Sequence, residues 1–268
     1  MPLPRRYLPS TRPCGYGASR GRRLANKAFW SIPFPISKAL VSSVAARPIT
    51  RLCNDTSEHR RSSYSIFAEK RCAFIDIPRT ASRTLGQHLF DHAAPPHYTY
   101  RDIAFAFTRS ELRELFIFTI VRNPWGRLAS SFRWFQRQKL KFQEGSDLVV
   151  TNHLRPFIAS IPDTFEEFVI SWLTPETMYW DLVTTPQTFW LTARGSQLYT
   201  PNFIGRFETL QEDVDTITET LQLPLTSIVD PERLKKACNY HSQYSKRMAL
   251  KVEKLYRRDI NFLDYSFD

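Results

Sequence analysis

The fold is decided by residues 116–130, which read FIFTIVRNPWGRLAS. The first six residues, 116–121, form a continuous apolar run that predicts a strand buried on both faces of a sheet. Helix signals follow at once, because Asn123 is a good N-cap residue and Pro124 suits the first helical turn. Arg122 stands at the junction, so we expect it at the carboxyl end of the strand, where open α/β sheets bind ligands.

The helix that follows this junction is predicted to be amphipathic, with an apolar stripe formed by Trp125, Leu128, Phe132 and Phe135. At about 100° per residue, Ser130 lies about 200° around the helix from Leu128. It therefore points away from the core, on the side of Arg133 and Arg137. We expect Arg122 and Ser130 to reach the same phosphate, although either residue alone would also suit a surface ion pair or a solvated position.

Other segments of the chain alternate between predicted strands and predicted helices. A buried strand is predicted at Ala73–Ile77 and a third strand at Asn202–Phe207. Helical segments at Arg83–Asp91 and Arg109–Leu115 lie between the first two strands. This alternation indicates parallel βαβ units, so we predict an α/β fold with a central parallel sheet flanked by helices. Two later helices are marked by apolar residues at helical spacing: Phe207, Leu210, Val214, Ile217 and Leu221 in one, and Met248, Val252 and Leu255 in the last.

A second candidate site follows the first predicted strand, where residues 74–85 read FIDIPRTASRTL. The strand enters a helix through small and hydroxylated residues, so backbone N–H groups and the positive end of the helix dipole converge on a point that suits an anion. Arg79 adds a positive charge, and hydroxyl donors come from Thr80, Ser82 and Thr84. An ordinary turn capped by Thr or Ser has a similar sequence. The segment lacks GxxxxGK(S/T), so it is not a Walker loop of the ATPase type.

Together the two segments resemble the paired signatures of sulfotransferases that use 3′-phosphoadenosine 5′-phosphosulfate (PAPS) as donor. Pro78–Thr84 resembles the family's 5′-phosphosulfate loop, and Val121–Phe132 is similar to its 3′-phosphate motif. The branch resembled is that of carbohydrate sulfotransferases, such as the heparan sulfate 2-O and 6-O enzymes, and their bacterial relatives. Further matches, in chain order, are Gln187, the stretch Phe203–Asp213 and the ending Val252–Tyr265.

The resemblance implies a P-loop-like sulfotransferase fold, with PAPS as donor, PAP as product and no metal. It implies that the 5′-phosphosulfate is bound by Arg79, Thr80, Ala81, Ser82, Arg83 and Thr84, and the 3′-phosphate by Arg122 and Ser130. A donor with two separated anionic ends needs two anion sites, and a guanidinium binds phosphate through parallel hydrogen bonds. The implied reaction moves a sulfuryl group to an acceptor hydroxyl on a carbohydrate, with Arg79 and His97 as catalytic residues.

Two positions depart from the family's loop. Arg79 stands where the family usually has Lys, and Arg83 replaces a small hydroxyl residue. Arginine is effectively always charged, so Arg79 can stabilise developing charge but is a poor proton donor. These departures keep open a second interpretation, a catalytically silent member of the fold that binds PAP, another nucleotide or a glycan.

The candidate general base is His97, in the segment PHYTYR at 96–101. Histidine is the usual base near neutral pH, and His97 resembles a family histidine that precedes the second strand. A satisfied loop histidine is the alternative, and Asp or Glu could act as the base instead. His88 and His92, on or near the first helix, are interpreted as structural.

Acceptor specificity is expected in residues 133–199, which are rich in basic and aromatic side chains; the aromatic ones include Trp134, Phe135, Trp172, Tyr179, Trp180 and Trp190. Most of these rings are expected in the core, so they do not identify the acceptor. A nucleotide kinase or another phosphoryl-transfer enzyme would need a Walker Lys-Ser/Thr pair and a Mg²⁺-binding Asp after a strand, and neither is evident.

The first 54 residues differ in composition from the rest of the chain. They hold ten basic residues, seven of the 18 prolines and no acidic residue, which leaves 27 Lys and Arg against 26 Asp and Glu in the remainder. The net charge of +11 therefore belongs to this segment, and no nucleic-acid partner is predicted for the folded surface. We divide the chain into a basic leader, residues 1–54, and a sulfotransferase domain, residues 63–268.

The leader is compatible with organelle targeting, a disordered basic tail or a misassigned start. Its most apolar stretch, residues 28–46, is broken by two prolines and a lysine, so no clear transmembrane helix is predicted. Membrane contact is expected only if the leader acts as an anchor, and the compartment stays open. The four cysteines lie far apart without a CxxC pair, so neither a zinc site nor a disulfide framework is predicted.

Overall fold

The computed structural model describes residues 63–90, 97–143, 155–193, 197–224, 227 and 230–267. The predicted leader lies outside these residues, and so does His92. The described part has an α/β fold built on a three-stranded parallel sheet, which confirms the predicted fold class.

The sheet consists of β1 Cys72–Ile75, β2 Phe116–Val121 and β3 Phe203–Arg206, with β2 in the centre. All three carboxyl ends lie at one edge because both strand pairs are parallel. The apolar run of β2 is buried from its second residue onward, as its continuous hydrophobicity predicts. The three strand ends therefore place Asp76, Arg122 and Phe207 along one edge.

The outer strands are shorter than predicted, for local reasons. β1 ends before Asp76 because the chain turns there, and the carbonyl of Ile77 accepts side-chain hydrogen bonds instead of joining a ladder. β3 begins after Asn202, whose Oδ1 accepts from the N–H of Ile117 at 2.8 Å in place of a strand partner. Phe207 already belongs to a short 3₁₀ helix.

Helices surround the sheet. In chain order the α-helices of the described residues are α1 Ser63–Glu69, α2 Ser82–Leu89, α3 Tyr100–Ala106, α4 Arg109–Glu114, α5 Pro124–Gln143, α6 Arg155–Ala159, α7 Phe165–Glu167, α8 Leu210–Thr220, α9 Pro231–Cys238, α10 Lys246–Leu255 and α11 Arg257–Leu263. Shorter turns are a π-helix at Phe168–Trp172 and 3₁₀ helices at Thr177–Tyr179, Gln187–Phe189, Phe207–Thr209 and His241–Gln243. None of the described helices is long and apolar enough to cross a membrane.

All five predicted helices are present, but six further α-helices of the described residues were not predicted: α1, α3, α6, α7, α9 and α11. Helix α3 begins with a capping box in which Thr99 and Asp102 exchange hydrogen bonds. Helix α11 follows α10 directly, so the prediction that α10 is the last helix was wrong.

The core has two hydrophobic clusters. One surrounds the sheet and contains the stacked rings of Phe74 and Phe118, whose centroids lie 5.1 Å apart. The other lies under α5 and receives its predicted stripe, with Trp125 and Phe135 buried and Phe132 half-buried. Helix α5 thus connects the carboxyl edge of the sheet to the second cluster.

Gly205 brings β3 close to β2. A Cβ added at Gly205 would lie 2.5 Å from Cδ1 of Ile120 and 3.1 Å from Cβ of Asp213. We expect Gly205→Ala to lower the free energy of unfolding by about 1–3 kcal/mol, because overpacking forces neighbouring atoms to move. Chemical denaturation measures this.

The matched control is the double variant that combines Gly205→Ala with Ile120→Val. The second substitution removes the methyl group nearest to the added Cβ. The double variant should lose less stability than the sum of the two single variants, because contacting residues are coupled. A single variant within about 0.5 kcal/mol of the unchanged protein would show that β3 has room to move.

Candidate functional site

The loop after β1 has a backbone shape suited to an anion. Arg79 and Ala81 adopt left-handed conformations, with φ of 73° and 77°. Such conformations are uncommon for residues other than glycine, and successive turns of this kind point neighbouring N–H groups into one concavity. Ala81 is the N-cap of α2 and gives it no side-chain cap, so the interpretation as an ordinary turn capped by Thr or Ser is wrong.

The hydroxyl groups of this loop hold its shape. Thr80 Oγ1 and Ser82 Oγ donate to the carbonyl oxygen of Ile77 at 2.8 and 2.9 Å, and Thr80 is fully buried. Thr84 is half-buried in the first turn of α2. Arg83 is exposed, so it does not crowd the loop. What the loop presents to a ligand is therefore its backbone N–H groups and its charge.

Arg79 connects the two sites that the sequence predicts. Its Nη2 and Nε donate to Ser130 Oγ at 2.9 and 3.3 Å. Ser130 is only 5% exposed, so its interpretation as a merely solvated residue was wrong. The loop after β1 and the first turns of α5 thus form one site.

Arg122 lies at the end of β2, as predicted, but it is buried, so its interpretation as a surface residue is wrong. Its Nη2 donates to the carbonyl of Ala237 at 2.7 Å and its Nη1 to that of Arg79 at 3.3 Å. The guanidinium lies 3.9 Å from the ring centroid of Phe207. Burial is the main cause that lowers the pKa of Arg122, to about 10, so the side chain remains charged at neutral pH.

The site has a strong excess of positive charge. Burial, and then neighbouring positive charges, lower the pKa of Arg79 to about 10. The neighbouring charges belong to Arg137, Arg122, Arg127 and Arg133. Like charges held this close destabilise one another until an anion joins them.

The backbone of Arg122 is fixed by Gln187. The side-chain amide of Gln187 accepts from the N–H of Arg122 at 2.9 Å and donates to its carbonyl at 2.7 Å. Asp259 of α11 in turn accepts from the backbone N–H groups of Gln187 and Thr188, at 2.6 and 2.9 Å. These contacts hold the main chain at the end of β2.

Asn123 is fixed by two further segments. Its N–H donates to Glu208 at 2.9 Å, and its side-chain amide donates to the carbonyl of Ser266 at 2.8 Å. Its Oδ1 accepts from the N–H of Trp125 at 3.1 Å, which confirms the predicted N-cap. Gln187, the stretch Phe203–Asp213 and the ending Val252–Tyr265 resemble the family but lie far from the two motifs in the sequence. In the fold, residues from all three contact or support the Arg122–Asn123 junction.

Arg127 is a member of the site that the sequence reasoning missed. It is 2% exposed and donates to three carbonyls, those of Pro78 at 2.9 Å, Thr185 at 2.8 Å and Leu182 at 3.2 Å. Arg127 therefore ties the loop after β1 to the segment before Gln187. Its position three residues before Ser130, on the same helical face, was the available signal.

His97 lies near the end of β1, against Asp76. Its Nδ1 is 2.9 Å from Oδ2 of Asp76, without the alignment of a hydrogen bond. The side chain of His97 is 38% exposed, whereas Asp76 is 1% exposed. Burial lowers the pKa of His97, but contact with Asp76 and the charges of Asp76 and Asp181 raise it more, so the net pKa is raised. The sequence reasoning took Asp76 for a strand residue.

A cavity of about 300 Å³ adjoins the Arg122–Asn123 junction. It is lined by Asn123, Arg206, Glu208, Cys238, Tyr240, His241, Asp264, Tyr265 and Ser266. Cys238 follows Ala237, whose carbonyl binds Arg122, so the cavity and the guanidinium are neighbours. Within the described ranges, no group of His, Cys, Asp and Glu is arranged to hold a metal ion.

Comparison with known proteins gives one match. A family model described as "Sulfotransferase family" matches residues 62–266, which include all the elements described above. No curated protein and no solved structure matches the chain.

Proposed function

The chain belongs to the sulfotransferase family, and on that premise we propose that it transfers a sulfuryl group from PAPS to a hydroxyl group of a carbohydrate. One observation carries the choice of donor: the Arg79–Ser130 contact joins two anion-binding strand ends in a single basic site. PAPS has two separated anionic ends and therefore needs such a pair. The carbohydrate acceptor rests on the resemblance to the carbohydrate branch.

The positive charge at the two strand ends supports the choice of an anionic donor. The proposed ligands are Arg79, Thr80, Ala81, Ser82, Arg83 and Thr84 for the 5′-phosphosulfate, and Arg122 with Ser130 for the 3′-phosphate. Thr80 and Ser82 would act through their N–H groups, since their hydroxyl protons are bound to Ile77. The cavity beside Asn123 offers room for the nucleoside, at the lower end of the range of ligand pockets.

The protein's part in the reaction is electrostatic stabilisation and proton transfer. PAPS supplies the sulfuryl group and leaves as PAP. Arg79 stabilises the charge that develops on the leaving phosphate, and its pKa of about 10 keeps it a cation near neutral pH. His97 removes the proton from the acceptor hydroxyl, since a partly exposed imidazole can act as a general base.

The test is calorimetric binding of PAP and PAPS, followed by transfer from radiolabelled PAPS to a panel of anionic and neutral polysaccharides. We expect PAP and PAPS to bind and AMP, which lacks the 3′-phosphate, to bind much more weakly. If the protein binds neither PAP nor PAPS, the proposal is refuted. PAP binding without any sulfated product would favour the catalytically silent member, for which the Arg79 departure is the motivating observation.

Arg79 gives the sharpest test of catalysis. We expect Arg79→Met to lower kcat by about 10²-fold, because it removes the cation that stabilises the developing charge. Arg79→Lys keeps the charge and should retain most of the activity. The measurement is kcat at saturating PAPS.

Arg109→Met on the exposed α4 is the control for loss of a positive charge elsewhere, and its kcat should not change. A kcat of Arg79→Met equal to that of the unchanged protein would remove Arg79 from the mechanism.

A further inference from the structure

We propose that Asp76 is the positioning residue for His97, holding the imidazole by Nδ1 so that Nε2 faces the acceptor. This inference rests on the proposed function and goes beyond it, because it explains how a loop histidine is oriented. Among the described residues, His97 is the ion-pair partner of Asp76. Burying a carboxylate costs free energy unless a partner compensates its charge. The buried position of Asp76 therefore indicates a role for the contact with His97.

The burial of the two side chains fixes the direction of the ring. Asp76 is 1% exposed and follows β1 directly, so its carboxylate is anchored to the sheet. Nδ1 of His97 is buried against it, while 38% of the histidine side chain is exposed. Because Nδ1 is the nitrogen turned towards Asp76, we assign Nε2 to the exposed part of the side chain.

The backbone of His97 is also held in an unusual state. Its φ is 48°, in the left-handed region that non-glycine residues adopt at a cost. Arg79 and Ala81 share this feature in the neighbouring loop. Backbone strain concentrated at one strand end is typical of a functional site in which the fold fixes the orientation of side chains.

In the proposed transfer step, the proton and the electron pairs each have a defined destination. With Nδ1–H beside Asp76, Nε2 of His97 takes the proton of the acceptor hydroxyl as the acceptor oxygen forms its bond to sulfur. The bond between sulfur and the phosphate oxygen breaks, and its electron pair stays on the phosphate. The carboxylate of Asp76 then stabilises the imidazolium.

The pH dependence follows from the charges that face His97. These are Asp76, at the end of β1, and Asp181, in the segment after the 3₁₀ helix Thr177–Tyr179. Both raise the pKa of His97 against the effect of burial. Since the base must be neutral, kcat/KM should rise as pH increases through a pKa above the ordinary value of about 6.5.

The experiment compares the full chain with Asp76→Asn, with O-desulfated heparan sulfate as acceptor and radiolabelled PAPS as donor. Above neutral pH we expect kcat to fall on the order of 10²-fold with little change in the KM for PAPS. The inflection of kcat/KM should move to lower pH. The difference in kcat/KM between Asp76→Asn and the unchanged protein should become smaller at acidic pH, because a larger fraction of His97 is neutral in the variant.

Asp163→Asn is the matched control, because Asp163 is an exposed carboxylate paired with Lys139 at 2.6 Å. Its pH profile should equal that of the unchanged protein. In a His97→Gln background, Asp76→Asn should have little further effect, since the two residues act as a unit. Independent losses that multiply would overturn the inference.

NMR titration of His97 separates this inference from the proposed function, because it needs no turnover. A fall of the His97 pKa in Asp76→Asn supports the pairing even if heparan sulfate is not the acceptor. An unchanged pKa in a protein that still binds PAP overturns the pairing while leaving the sulfotransferase assignment intact.

Discussion

Arg122→Ala is expected to weaken PAP binding by about 10³-fold. Two hydrogen bonds from a guanidinium to a phosphate contribute about 1.5–3 kcal/mol each, and each 1.4 kcal/mol is a factor of ten in affinity. The buried position of Arg122 strengthens the effect, since water cannot replace the lost donors. Isothermal titration calorimetry with PAP is the measurement.

Two controls separate recognition from folding. Arg122→Lys keeps a positive charge but loses the planar pair of donors, so its affinity for PAP should lie between those of Arg122→Ala and the unchanged protein. Arg113→Ala, on the exposed face of α4, should bind PAP normally. Thermal unfolding without PAP shows whether Arg122→Ala is folded, and a folded variant that keeps its affinity within about threefold would contradict the assignment of the 3′-phosphate.

Arg127→Met is expected to lower the free energy of unfolding by about 3–5 kcal/mol, because it leaves three carbonyl groups, two of them buried and one half-buried, without a donor. Methionine fills much of the same volume, so the loss is one of hydrogen bonds more than of packing. Chemical denaturation measures it, with Arg113→Met as the exposed control. The variant should also bind PAP less well where it is folded, because Pro78 loses its connection to α5.

A loss below about 1 kcal/mol in Arg127→Met would mean that water or a shifted backbone satisfies the three carbonyls. In that case Arg127 would contribute to the positive charge that attracts the donor and would not stabilise the fold. The salt dependence of PAP binding would then change while stability did not.

The junction between β2 and α5 was predictable because its signals are local. A six-residue apolar run, an N-cap Asn and a Pro at the first helical position each act within a few residues. Helix α3 also has a local signal, but its capping box uses Asp102 where the usual pattern has Glu or Gln. That departure explains why α3 was missed.

The rest of the site depends on contacts that no local pattern encodes. Arg127 meets Pro78 at a separation of 49 residues and Thr185 at 58, so its role follows from the tertiary fold. Asp76 looks like a strand residue until His97 is placed against it. The left-handed turns at Arg79 and Ala81 use residues that carry no preference for them, so the sequence predicted an anion site there without predicting its shape.

The amide of Gln187 makes the hydrogen bonds with Arg122 that a neighbouring strand would make, one accepted and one donated. It therefore acts as a one-residue extension of the sheet, built from a side chain. The main chain of Arg122 is already held by these two hydrogen bonds, so we expect ligand binding there to require little loss of conformational entropy. A rigid receptor of this kind discriminates between ligands by shape as well as by charge, which is the property that the proposed donor requires, because its 3′-phosphate is what distinguishes it from AMP.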